Sequence, residues 1–316
     1  MRDTVPTLVD NHFMAKSELT VTVEVDGGLR PEDQTRWDVL ASAFIREVPH
    51  PERVELIITD RYEQIAGELA VLSPVRMNED MTATDYRASK PDGALAVART
   101  IPLPGDRVAV VAGAGLARVH KSLALAAVVH EAQHVRLHQH GDEALGVHRL
   151  VAFDLPDSLQ FEFVWLAEGL IDEFRCERAM HEKGMGSADI SWVRDYPGIV
   201  ALFDVCRHDY ERTGDLMAAY LAVFAALERL SNFVAYGAAS IVPSSELPTE
   251  WTPISVMPAV LKAVHPIQAP PEIVTHGELA STAIALAHVL RAALQEMGFD
   301  LYLTANDTKY FTTVVH

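Results

Sequence analysis

The stretch LALAAVVHEAQHVRLHQH, residues 123–140, places His130 and His134 four apart with Glu131 beside the first. On an α-helix that spacing puts both imidazoles on one face, one turn apart, where they can ligate one ion. Glu131 then reaches a water held at that ion. H-E-x-x-H is two ligands and one general base on a single helical turn, which is equipment for hydrolysis. The chain has 14 histidines, so a chance match has a frequency of roughly a few per cent. The lead-in SLALAAVV is apolar and contains neither proline nor glycine. It supplies the rigid, buried helix that a metal site needs to hold its ligands.

A catalytic zinc site takes three protein ligands and keeps one position open. His140 has the third-histidine spacing of H-E-x-x-H-x-x-G-x-x-H, but Leu137 stands where that pattern needs glycine to end the helix. The better candidates lie in WLAEGLIDEFRCERAM, residues 165–180. Apolar residues occupy most faces of this segment, so its acids need partners, and a metal ion is a good one. Glu173 is preferred as third ligand because Gly169 and Cys176, both small, flank it on the helix and allow a second helix to come close. Glu168, flanked by Val164, Trp165 and Ile171, is the alternative. Asp172 and Glu177 are candidates for the groups that orient an imidazole. The competing reading of all these acids is a solvated face paired with Arg175 and Arg178.

VVHEAQHVRLH followed by DEFRCERAM resembles the gluzincin metallopeptidases, zincins with a glutamate ligand. The second segment is similar to the E-[FY]-x-A-D helix of HtpX-like peptidases. The short H-E-x-x-H helix and the cytoplasmic character look more like the ImmA/IrrE-type catalytic core. The resemblance covers about residues 105–183. It implies Zn²⁺ held by His130, His134 and Glu173, with Glu131 as general base. It also implies that the strand before the helix, residues 107–113, offers its edge to a peptide substrate by β-addition. Two departures stand out: Glu177 replaces an aspartate and Cys176 replaces an alanine. The implied activity is that of a zinc metallopeptidase. A non-catalytic regulatory protein of zincin fold, or a zinc hydrolase of a non-peptide bond, are the alternatives, and the presence of Glu131 favours hydrolysis. For the donor that stabilises an oxyanion, Tyr196, His208 and Tyr210 are in reach as candidates, with no basis for choosing among them.

These residues need elements to position them. Residues 19–28 alternate apolar and polar and end in Asp-Gly-Gly, a strand into a turn. A helix follows from Pro31, with Trp37, Leu40, Ala41, Phe44 and Ile45 at helical spacing. Residues 53–60, the ALAVARTI stretch ending at Ile101, and residues 107–113 read as strands, with Pro102 to Asp106 as a turn. Helices are expected over 119–140, 160–183 and 277–298, and one or two over 197–236. Seven prolines between 237 and 277 argue against regular helix there and for a surface segment or lid. The expected fold class is α+β: a small N-terminal sheet with a two-helix zincin metal site in residues 1–185, then a mostly helical region over 186–316.

The bulk numbers limit the partners. The net charge is −18, with 49 % hydrophobic and 22 % charged residues. That balance excludes a general affinity for nucleic acid or an anionic membrane, which need a basic surface. Two cysteines make no disulfide framework. The N-terminus lacks a signal-peptide core, and apolar runs such as LALAAVV are too short to span a bilayer. The expectation is a cytoplasmic protein acting on a protein or peptide substrate, with neither nucleic acid nor membrane as partner and with an oligomeric state that the sequence does not reveal.

Overall fold

The computed structural model describes residues 19–74, 98–151, 161–186, 190–243, 246–303 and 309–313. The fold is α+β, with a small mixed sheet followed by a helical C-terminal half. The chain divides into two compact units, Met1–Gly141 and Asp142–His316.

The first unit contains β1 (Thr20–Glu24), α1 (Pro31–Glu47), β2 (Val54–Thr59), α2 (Tyr62–Ala70), β3 (Ala98–Leu103), β4 (Arg107–Gly113) and α3 (Lys121–His140). Pro31 opens α1, where its missing N–H costs nothing and its fixed φ suits the helix. The strand order is β1-β2-β4-β3, with β3 antiparallel to β4 and the other pairs parallel. Strands β2 and β4 are β-branched and buried along nearly their whole length. Continuous apolar runs of this kind suit central strands covered on both faces. One face carries Ile57, Ala109 and Val111, which pack with Ile101 of β3 against Ile65, Ala66 and Ala70 of α2. In the hairpin between β3 and β4, Gly105 (φ 78°) and Asp106 (φ 56°) turn the chain in the left-handed region, where glycine carries no Cβ penalty.

Strand order corrects one expectation. Residues 107–113 form a central strand, hydrogen-bonded to β2 on one side and β3 on the other. It has no edge to lend to a substrate. Among the described strands the edges are β1 and β3, and β3 is the described end of the ALAVARTI stretch; residues 94–97 lie outside the described residues.

The second unit contains α4 (Phe161–Glu182), α5 (Tyr196–Thr213), α6 (Leu216–Ser240), α7 (Met257–Val264), α8 (His276–Glu296) and the antiparallel pair β5 (Phe299–Leu303) and β6 (Lys309–Thr313). Helix α4 is its axis, packed against α6 and α8. Fifteen of its residues are buried, from Glu162 to Met180, so its apolar character on most faces is that of a core helix. A capping box, Thr275 with Glu278, starts α8.

The proline-rich stretch is not a surface segment. Trp251, Ile254, Met257, Val260 and Val264 are buried in the core of this unit. Pro258 sits in the first turn of α7, a position that tolerates proline. Gly237 of α6 lets the Trp251 ring lie directly on the helix backbone, since a Cβ there would come within 2.2 Å of that ring. Residues 268 and 272 offer their carbonyls to the buried Arg175 of α4. Among the described residues, α6 and α8 have the length and apolar composition of a membrane span, longer than the runs noted in the sequence. Each contributes buried residues to this core: Val223, Leu227, Leu230 and Val234 from α6, and Leu279, Leu286 and Leu290 from α8.

Candidate metal centre

In the first unit, α3 brings the histidine pair together. His130 Nε2 and His134 Nε2 are 3.2 Å apart, with the rings edge to face at 5.0 Å between centroids. Two nitrogens bound to one tetrahedral zinc at ~2.0–2.1 Å stand about 3.3 Å apart. The observed separation fits a shared ion, and it also accommodates an N–H···N hydrogen bond in the metal-free protein. His130 is buried and His134 half-buried.

The rest of α3 fixes that face. Gln133 donates to a Glu47 carboxylate oxygen of α1 and to the Val129 carbonyl, and Arg136 donates to the Glu47 carbonyl at 2.7 Å. Gln139 exchanges two hydrogen bonds with the His50 backbone, each 2.9 Å. Polar residues at positions 133, 136 and 139 thus tie the helix to α1 and the loop after it. The helix runs unbroken through Leu137 to His140 and ends at Gly141, φ 68°. His140 is exposed at its last turn and does not swing back toward the pair, as the missing glycine led us to expect.

Glu131 is held by a residue that spacing did not point to. Thr100 Oγ1 on the edge strand β3 lies 2.8 Å from Glu131 Oε2 and 3.1 Å from the Glu131 carbonyl oxygen. A hydroxyl on a carboxylate is a short, charge-assisted donor, and it fixes the rotamer of the candidate base. The pairing spans 31 residues of sequence, so no local pattern could have revealed it.

In the second unit, the acids of α4 separate by partner. Glu168 is fully buried and accepts from the backbone N–H groups of Gly146 (3.0 Å) and His148 (2.9 Å), while His148 Nδ1 is 2.9 Å from both its oxygens. Burial pushes the Glu168 carboxyl up to about 7, against the opposing pull of those N–H groups and the Arg149 charge. Desolvation, with Arg149 adding to it, pulls His148 down. Asp172 accepts from the N–H groups of Ala144 (2.7 Å) and Leu145 (2.9 Å). Glu177 pairs with His181 one turn on, at 3.5 Å. Arg175 is fully buried and donates to the Asp142 carboxylate (2.7 Å), with the carbonyls of Asp142, Gln268 and Glu272 taking its other N–H groups. Arg178 donates to the carbonyls of Ala239 and Ile241. These acids and arginines do not form a solvated face.

Glu173 is different. It is half-buried, and its Oε2 accepts a hydrogen bond from the Tyr236 hydroxyl of α6 at 2.9 Å. Tyr236 is the second residue that sequence reasoning missed, 63 positions away. Of the candidate oxyanion donors, Tyr196 stacks on Phe233, His208 is exposed and bonded to the Asp204 carbonyl of its own helix, and Tyr210 lies near the end of α5. Compared with known proteins, the chain matches no family model, no curated sequence and no solved structure.

Proposed function

We propose that this protein is a zinc-dependent metallopeptidase of zincin type, acting on peptide or protein substrates in the cytoplasm. The observation that carries the proposal is the convergence of His130 Nε2 and His134 Nε2 at 3.2 Å on a buried helix, with Glu131 between them in sequence. Glu173 is the third ligand in this reading. Two imidazoles and a carboxylate are borderline ligands that suit Zn²⁺. Glu168, the alternative third ligand, already has both oxygens engaged by Gly146 and His148.

A zinc ion in such a set supplies Lewis acidity, which polarises a substrate carbonyl and makes water a better nucleophile. The chain's own residues do the rest. Glu131 accepts the proton of the attacking water and returns it to the leaving amine. Thr100 holds the Glu131 carboxylate in one rotamer while it does so. The edge strand β3, which carries Thr100, is the sheet edge beside which an extended peptide would lie.

The test is Glu131→Gln. The variant is expected to keep its zinc and to lose about 10²–10⁴-fold in peptide hydrolysis, the usual contribution of a positioned base. Hydrolysis at the wild-type rate with zinc bound would remove Glu131 as the general base and overturn this mechanism.

A further inference from the structure

The Tyr236–Glu173 hydrogen bond suggests a role for Tyr236 in metal binding. We propose that Tyr236 is the residue that orients Glu173 for the metal, fixing which carboxylate oxygen faces the ion. The inference rests on the reading of Glu173 as a ligand.

Glu173 differs from Glu168 and Asp172 of α4, whereas Glu162, which accepts from the Tyr220 hydroxyl at 3.1 Å, shares its kind of partner. Glu168 and Asp172 take two backbone N–H groups each, from residues 144 to 148, and so hold a loop. Glu173 receives instead a side-chain hydroxyl at 2.9 Å, on one named oxygen, Oε2. A carboxylate is a good ligand only when its rotamer and its donating oxygen are set in advance, because a freely rotating glutamate loses that freedom on binding. A phenol is suited to this task. It donates one hydrogen bond from a rigid ring with few rotatable bonds.

The ring itself is well anchored. Tyr236 precedes Gly237, the position at which the Trp251 ring rests on the α6 backbone. Trp251 is buried and also meets Phe233, with ring centroids 5.7 Å apart. Phe233 lies one turn before Tyr236 and Gly237, so the packing fixes the rotation of α6 about its own axis. On the same stretch, Arg178 of α4 donates to the Ala239 and Ile241 carbonyls and locks the end of α6 against α4. The position of the phenol oxygen beside Glu173 is thus set by contacts on both sides of Tyr236.

The experiment measures zinc affinity of the full-length apo protein by competition with a chelating dye. The four proteins of a double-mutant cycle are compared: wild type, Tyr236→Phe, Glu173→Ala and the double variant. Removing a group that orients a metal ligand typically weakens binding about 10–100-fold. Tyr236→Phe is expected to weaken zinc binding by that factor in the wild-type background and to change nothing once Glu173 is alanine. A merely structural role would lower affinity equally in both backgrounds, and that result overturns the inference. Unchanged affinity in Tyr236→Phe, with affinity lost in Glu173→Ala, also overturns it while leaving Glu173 as the ligand. Wild-type affinity in Glu173→Ala removes the ligand assignment, and the role of Tyr236 goes with it. The visible spectrum of the Co²⁺-loaded protein gives an independent readout: the band is expected to shift in Tyr236→Phe, and an identical band would count against an orienting role.

Discussion

Helices α3 and α4 both carry polar residues through a buried environment, but they partner them differently. The histidines of α3 meet each other one turn apart, and Glu131 meets a hydroxyl on the edge strand. On α4, Glu168, Asp172 and Arg175 are taken up by backbone N–H and carbonyl groups of loops, as a core helix uses polar groups to pin the chain around it. Glu173 resembles Glu131 of α3 in accepting from a side-chain hydroxyl, that of Tyr236.

The largest effect that could break this comparison lies at Arg175. Arg175→Met leaves Asp142 buried without its cation and the carbonyls of Gln268 and Glu272 without their donor. The expected cost is about 3–5 kcal/mol of stability in urea unfolding. A variant as stable as wild type would mean that the polar groups of α4 do not hold the second unit together.

Glu168 tests the same point through pH. Its folded pKa is raised from 4.5 to about 7, so between those values the folded protein binds more protons than the unfolded chain. Its contribution to stability is therefore greatest below about pH 4.5 and falls as pH rises to about 7, by roughly 3 kcal/mol in the limit. The depressed His148 works the other way, adding stability as pH rises toward 6.5. Glu168→Gln is expected to abolish the Glu168 part, so that unfolding free energies at pH 5 and pH 7.5 differ by less than in wild type or with reversed sign. An unaltered pH profile would contradict the burial of this carboxyl.

Thr100 sharpens the other side. Thr100→Val removes the donor on Glu131 and keeps the shape of the strand residue. A hydrogen bond to a charged group contributes about 1.5–3 kcal/mol, which corresponds to roughly 10–100-fold in turnover. The variant is expected to retain zinc and fold while kcat falls, and Thr100→Ser is expected to restore most of it. Loss of zinc from Thr100→Val would show that β3 shapes the ligands rather than the base. The smallest effect is at Gly237. Gly237→Ala forces a Cβ against the Trp251 ring, and overpacking of this kind costs about 1–3 kcal/mol, readable as a lower melting temperature.

What was legible in the sequence was what is local. The i, i+4 pair of α3, its stop at Gly141, the strand at 107–113 and the buried character of residues 165–180 all follow from spacing within one element. What is set by pairing across the chain was not legible. Thr100 and Tyr236 lie 31 and 63 residues from the groups they hold, and neither carries a pattern. Strand order likewise depends on which neighbours form, so residues 107–113 seemed to offer an edge that β3 in fact covers. The proline-rich stretch misled for another reason. Its prolines mask Trp251, Ile254, Met257, Val260 and Val264, whose spacing of three and four marks a buried face.

The central claim is that one zinc ion is held by His130, His134 and Glu173. The most direct measurement is zinc content per chain, by elemental analysis after metal-replete expression, for wild type, His134→Ala, Glu173→Ala and Glu168→Ala. A single zinc in wild type and in Glu168→Ala, lost from His134→Ala and Glu173→Ala, is the predicted result. No zinc in any of the four would contradict the account and reduce His130 and His134 to two hydrogen-bonded histidines on a buried helix.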